Sequence, residues 1–175
     1  MGFFDWLGGA RAKGPIAEDR IWLTKKAKCA AIQRDVAQTL ADPHGPDAVF
    51  LVAHFQDCLD ELRSLVAAAR FDEERVLVIL AEDLQGRKTG TAADESRRVL
   101  FVVAERHPLP SKDDALVEFV RSRSWQYRLV RHVSLDDPLL KVFAGEGVEK
   151  VLRQLGMTED EAIESRMVAR RIRAA

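Results

Sequence analysis

AVFLVAHF, residues 48–55, is apolar at every position except His54, so an extended chain here leaves neither face to water. A strand with two apolar faces belongs inside a parallel sheet covered by helices on both sides. Working outward, RVLVILAE (75–82) and RVLFVVAE (98–105) have the same character. Between the first two, Gln56–Ala69 carries Leu59, Leu62, Val66 and Ala69 at helical spacing. After the third, Pro108 and Pro110 end the strand, and Ser111 with Asp114 predicts a capping box opening a helix through Val120. Its inner face is Ala115, Leu116, Phe119 and Val120. Upstream, Thr24 is placed to cap a helix running to Leu40, with Ile32, Val36 and Leu40 on one stripe, and Pro43 and Pro46 follow it. WQYRLVRHVSL (125–135) alternates instead, with Gln126, Arg128, His132 and Ser134 on the polar side, which predicts a sheet edge with one wet face. Strands alternating with amphipathic helices imply an α/β fold with a doubly wound, mainly parallel sheet.

The polar stretch 83–97 reads as the longest loop-like insertion. Beyond residue 137 the pattern is a helical tail. Pro138–Ala144 forms a first helix, and Glu146–Leu155 a second with Val148, Val151, Leu152 and Leu155 inward and Gly156 as its stop. Thr158 and Glu161 open a third, which ends with Arg170, Arg171 and Arg173. At the other end MGFFDWLGGARAK stands apart. The division is an aromatic and basic arm, residues 1–15, and a folded unit, 16–175, with its tail at 137–175. On a helix Phe3, Trp6 and Leu7 share one face and Phe4 adds bulk beside them. Arg11 and Lys13 follow, a recipe for weak, reversible contact with a membrane interface. The alternative is an arm that packs back on the domain.

The 175 residues are 47% hydrophobic, enough for one buried core. Twenty-seven basic residues nearly balance twenty-eight acidic ones, so the net charge of -1 gives no general attraction to nucleic acid, and none is expected as a partner. Cys29 and Cys58 fall on helix faces beside Ala and Leu, as small buried hydrophobes, which fits a reducing cytoplasm. No secretory leader and no membrane-spanning run is read. His44, His54, His107 and His132 lie in different elements without zinc spacing, so no metal is expected. His54 and His107 end different strands and are placed to meet at the mouth of the sheet, near Glu105 and Arg106, where doubly wound folds hold ligands. Glu105, His107 and Asp137 would make a hydrolytic site only with a nucleophile, and none accompanies them; structural hydrogen bonding is the preferred reading. Arg121, Arg123, Arg128 and Arg131 sit near Asp113, Asp114 and Glu118, so a salt-bridged surface is expected before a basic patch.

The stretches AERHPLPSKDD and HVSLDDPLLKVFAGEGVEKVLRQLGMTEDEAIESRMVARRI resemble the end of the second nucleotide-binding domain of the preprotein translocase ATPase SecA. The matching residues are Glu105, Arg106 and His107, then Asp113 and Leu116, then Ser134, Leu135, Asp136, Asp137 and Leu139, then Leu155, Gly156, Met157, Ile163, Glu164 and Val168. Leu23-Thr24-Lys25-Lys26-Ala27-Lys28 and the segment from Val49 to Val66 resemble earlier parts of the same lobe, and the amino-terminal start resembles SecA's lipid-binding one. The resemblance implies a RecA-like, helicase carboxy-terminal lobe of the P-loop NTPase class.

Departures from the family bear on chemistry. No Walker A loop is present, and the arginine-finger positions fall on Val117, Phe119 and Ser122, with Arg121 and Arg123 close by but without flanking glycines. Gly86, Arg87 and Thr89 echo a Gly-Arg-Gly-Thr-Asp motif in which Lys88 and Gly90 replace the second glycine and the aspartate. The expectation is a lobe without ATP chemistry and with no catalytic residue. It would act as an accessory or binding module with a protein partner, the secretion machinery being the class the resemblance points to, in the cytoplasm or at the inner membrane face. No cofactor is expected; ATP or ADP enters only as a weak or partner-shared ligand, through Gly86, Arg87, Thr89, Glu105, Arg106, His107, Arg121 and Arg123. Two alternatives stay open: Arg87, Arg106 and Arg121 completing a partner's ATP site, and a small hydrolase near Glu105 and His107.

Overall fold

A computed structural model describes residues 18–86 and 97–142, with isolated positions between 150 and 162. The arm 1–15 with Phe3, Phe4, Trp6 and Leu7, the candidates Arg87 and Thr89, and most of the tail helices lie outside the described residues.

The described chain runs β1 (Glu18–Trp22), α1 (Lys25–Ala41), β2 (Ala48–Ala53), α2 (Gln56–Ala69), β3 (Val76–Leu80), α3 (Ala81–Gly86), β4 (Arg98–Val103), α4 (Pro110–Arg121), β5 (Gln126–Ser134). The five strands form one sheet in the order β1-β5-β4-β2-β3, with every pair parallel. α1 and α2 cover one face, where Ile32, Val36, Leu59, Leu62 and Val66 pack on Val49, Leu51, Val102 and Val130. α3 and α4 cover the other, where Leu84, Leu116 and Val120 pack on Phe50, Val52, Phe101 and Leu129. Because both faces are covered, β2 is buried along its whole length, as its unbroken apolar run requires. The fold is the expected one, α/β and doubly wound, with the layering of a RecA-like lobe.

β1 carries no apolar run, and the sequence reading has no strand there. Its EDRIW pairs with Val130–Ser134 of β5 in parallel register, so β5 is an interior strand and not the expected edge. Gln126 and Arg128, beyond the reach of β1, are exposed as the alternation predicts, whereas Arg131, His132 and Ser134 are buried. α1 starts as read: Thr24 Oγ1 accepts a hydrogen bond from Ala27 N at 3.1 Å. α4 does not. It begins at Pro110, whose missing N–H needs no cap, and Asp113 turns inward instead of Ser111 and Asp114 forming a box. The polar stretch from residue 83 opens within α3, so the second apolar run ends at Leu80, and it is not the fully buried strand expected: β3 is the outer strand of the sheet, with Leu77, Val78 and Leu80 only partly buried. Among the described residues, no helix is long and apolar enough to cross a membrane.

Candidate functional site

The chain leaves β2 through α2 toward β3, and leaves β4 through α4 toward β5, which lie on opposite sides in the sheet. The crevice between the carboxyl ends of β2 and β4 is therefore the topological switch point, where this architecture places ligands. His54, Phe55, Glu105, Arg106 and His107 all meet there. Glu105 Oε1 accepts hydrogen bonds from His54 N at 2.8 Å and Phe55 N at 2.9 Å, which seats a carboxylate at the amino end of α2. Phe55, the N-cap residue, supplies no side-chain cap of its own. His107 stacks on Phe55 with 5.2 Å between ring centroids and meets His54 edge-on at 5.3 Å, and its Nδ1 accepts from Leu109 N.

Behind this mouth lies a buried ion network. Arg106 donates to Asp19 at 2.6 Å and to Asp113 at 3.3 Å, and Arg131 donates to Asp19 at 2.8 Å. His54 Nε2 stands 2.8 Å from Asp113 Oδ1, near enough for strong attraction but off the line of a well-formed hydrogen bond. Burial would raise the Asp113 carboxyl, but His54, Arg131 and the His107 amide outweigh it and hold it below its ordinary value. Two carboxylates thus face two guanidiniums in near balance, and this pairing is what brings the charged β1 into the sheet.

An adjoining cleft of about 410 Å³ runs from the switch point to the start of the tail. Apart from Asp57, exposed in the first turn of α2, its charged lining groups are engaged with each other or with the fold. Lys25 pairs with Glu61. Lys28, 4% exposed, donates to Asp137 Oδ1 at 2.6 Å and to the Ala104 carbonyl at 2.9 Å. Asp137 also accepts from Ser134 N and Ser134 Oγ. The remaining lining is apolar: Phe55, Pro108, Val133, Pro138, Leu139 and Leu140. Cys58 lines it as well, but burial, with Glu105 nearby, pushes its thiol far up, which leaves no thiolate nucleophile.

A second buried cluster lies across β1, β5 and α1. Trp22 Nε1 donates to His132 Nδ1 at 3.1 Å, so that nitrogen carries no proton and Nε2–H faces Asp35 at 3.2 Å. Burial, which outweighs the attraction of Asp35, lowers the His132 imidazole below its ordinary value and keeps it neutral.

The other expected residues scatter. α4 runs back along the sheet, and its twelve residues rise about 18 Å. Arg121 and Arg123 therefore sit at the far end from Glu105, Arg106 and His107. Arg121 pairs with Glu118 at 2.9 Å, and Arg123 lies 4.3 Å over the Phe119 ring. The structure does not bring Arg106 and Arg121 to one place, because the length of α4 lies between them. Gly86 ends α3, and a Cβ there would meet nothing within 4 Å, so no close backbone approach demands a glycine. In the group of Glu105, His107 and Asp137, each side chain is occupied by backbone or ion-pair contacts. No metal-binding group of His, Cys, Asp and Glu occurs among the described residues. The sequence reading missed Lys28 and Phe55 as cleft residues. Lys28 had a signal, since it falls one turn before Ile32 on the inward stripe of α1, where an unpaired cation would not be tolerated.

Comparison with known proteins points the same way as the residues at this mouth. A stretch of 107 residues, 57% of the chain, is 33% identical to the protein translocase subunit SecA of Clostridium botulinum strain Hall. The SecA of Clostridium novyi is 28% identical over 184 aligned residues, which take in 91% of this chain. This chain is related to a segment of SecA. It spans 22% of the length of the C. novyi protein and 12% of the C. botulinum one. No family model matches the chain.

Proposed function

We propose that this chain is a non-catalytic, SecA-like binding module that serves protein translocation, with the cleft at the carboxyl ends of the strands as its docking face. The observation that carries the reading is Glu105. In a doubly wound fold the amino end of the helix at the switch point offers its amides to a phosphate. Here the amides of His54 and Phe55 are already capped by a carboxylate of the chain itself. Each unit of phosphate charge about 4 Å from it meets a repulsion of roughly 1 to 4 kcal/mol, according to how far water screens the pair. Arg106, the nearest guanidinium in the mouth, is committed to Asp19 and Asp113. What the mouth offers is apolar surface around satisfied charges, which suits a polypeptide better than a nucleotide. The relatives are protein translocase subunits, so the translocation machinery, met on its cytoplasmic side, is the class of partner.

Calorimetric titration with ATP and with ADP tests this, together with ATP turnover alone and in the presence of a Walker-containing SecA. The expected result is no saturable binding in the micromolar range and no turnover. Micromolar binding by the isolated chain, or stimulation of the partner's turnover that is abolished by Arg121→Ala, would overturn the reading.

A further inference from the structure

We propose that the cleft takes the chain's own aromatic arm, Phe3 to Leu7, so that the surface that docks a partner is filled from within until the arm is drawn away. This rests on the reading of the cleft as the docking face and deepens it. The cleft presents apolar surface that the described residues leave uncovered. Phe55 on its lip is 43% exposed, and Leu109, next to the lining residue Pro108, is 56% exposed. Apart from Asp57, its charged groups are engaged internally, which favours an occupant whose contacts are mainly apolar. The Phe55–His107 stack offers an aromatic lip against which another aromatic ring can lie.

The arm has the matching chemistry. Phe3, Phe4, Trp6 and Leu7 are the apolar group, and Arg11 and Lys13 follow against the single Asp5. The cleft lining holds three cations, Lys25, Lys28 and Arg106, against the four carboxylates Asp57, Glu61, Glu105 and Asp137. A basic-flanked apolar segment therefore meets a slightly acidic rim. Reach is sufficient. β1 starts at Glu18, at the amino end of the sheet and two strands from β4, so the cleft is offset by one strand length of about 17 Å and two strand spacings of about 10 Å in all. The ten residues 8–17 extend to roughly 30 Å. The consequence is regulatory. Aromatics seated in the cleft cannot enter a lipid interface or leave room for a partner, so arm release and docking become one equilibrium.

The test is acrylamide quenching of Trp6 in the full chain, taken as the difference between wild type and Trp6→Phe, because Trp22 and Trp125 are buried. Trp6 is expected to be shielded in wild type, and its quenching constant to rise severalfold toward that of the free peptide MGFFDWLGGARAK in both Phe55→Asp and Leu139→Asp. Unchanged circular dichroism and unchanged Trp22 and Trp125 emission identify variants that still fold. Free quenching in wild type overturns the proposal, as does shielding that survives both substitutions, since the arm then packs elsewhere. Shielding that fades on dilution assigns the arm to a neighbouring copy, and shielding that appears only with anionic vesicles assigns it to lipid; either overturns the intrachain contact. These outcomes are independent of nucleotide titration, so this inference and the reading beneath it fail separately.

Discussion

If Glu105 occupies the position of a phosphate, then removing it should create an anion site that the wild type lacks. In Glu105→Ala the amides of His54 and Phe55 lose their acceptor, and the amino end of α2 loses a compensating negative charge. Loss of a helix cap destabilises by about 0.5 to 2 kcal/mol, and two charge-assisted bonds place this site at the upper end. Glu105 is only half-buried, so about 2 kcal/mol is the working value. For a chain of this size that lowers the melting temperature by roughly 4 to 8 °C. Inorganic phosphate should return part of the loss: with a dissociation constant on the order of 10 mM, 100 mM phosphate restores about 1.4 kcal/mol. Scanning calorimetry of both proteins in chloride and in phosphate at matched ionic strength separates this specific gain from the general stabilisation that phosphate gives any folded protein. The reasoning is refuted if phosphate raises the wild-type and Glu105→Ala midpoints equally.

Two further outcomes are expected. Because burial holds folded His132 below 6.5, the unfolded chain takes up that proton first, so stability should fall as pH drops through about 6.5 and keep falling until the folded imidazole titrates. Asp35 and Asp113, also lowered, add a second loss as unfolded carboxyls protonate near pH 4. His132→Gln should flatten the upper part of a urea-midpoint profile and shrink the Asp35 share of the lower part, which His132 helps to create, while the Asp113 share stays; an unchanged profile would exclude His132 as its source. Lys28→Met strands Asp137 in a buried site and should cost about 3 to 5 kcal/mol in urea unfolding, with part of it recovered when Asp137→Asn is added. Strictly additive losses would mean that the two groups do not act as a pair.

The sequence alone determined the parts of the fold that depend on local periodicity. The apolar runs within 48–55, 75–82 and 98–105 read as strands of a helix-covered sheet, and Leu59, Leu62 and Val66 have no good use except against such a sheet, although of the three only β2 and, past Arg98, β4 are buried throughout and β3 became its partly buried outer strand. The meeting of His54 with His107 at the mouth was legible too, since parallel strands put their carboxyl ends together. The tertiary structure decided what rests on distant partners. β1 is three charges and two apolar residues, which says nothing of a strand until Asp19 finds Arg106 and Arg131, and Arg20 finds Asp35. Only that pairing turns β5 from an edge into an interior strand and buries His132. Spacing likewise put Arg121 near Arg106 in sequence, and α4 then carried it to the other end of the domain. Apolar burial repeats along the chain with the period of the backbone and can be read there. A buried charge is tolerated only where its counter-charge arrives, and that is a property of the folded chain in three dimensions.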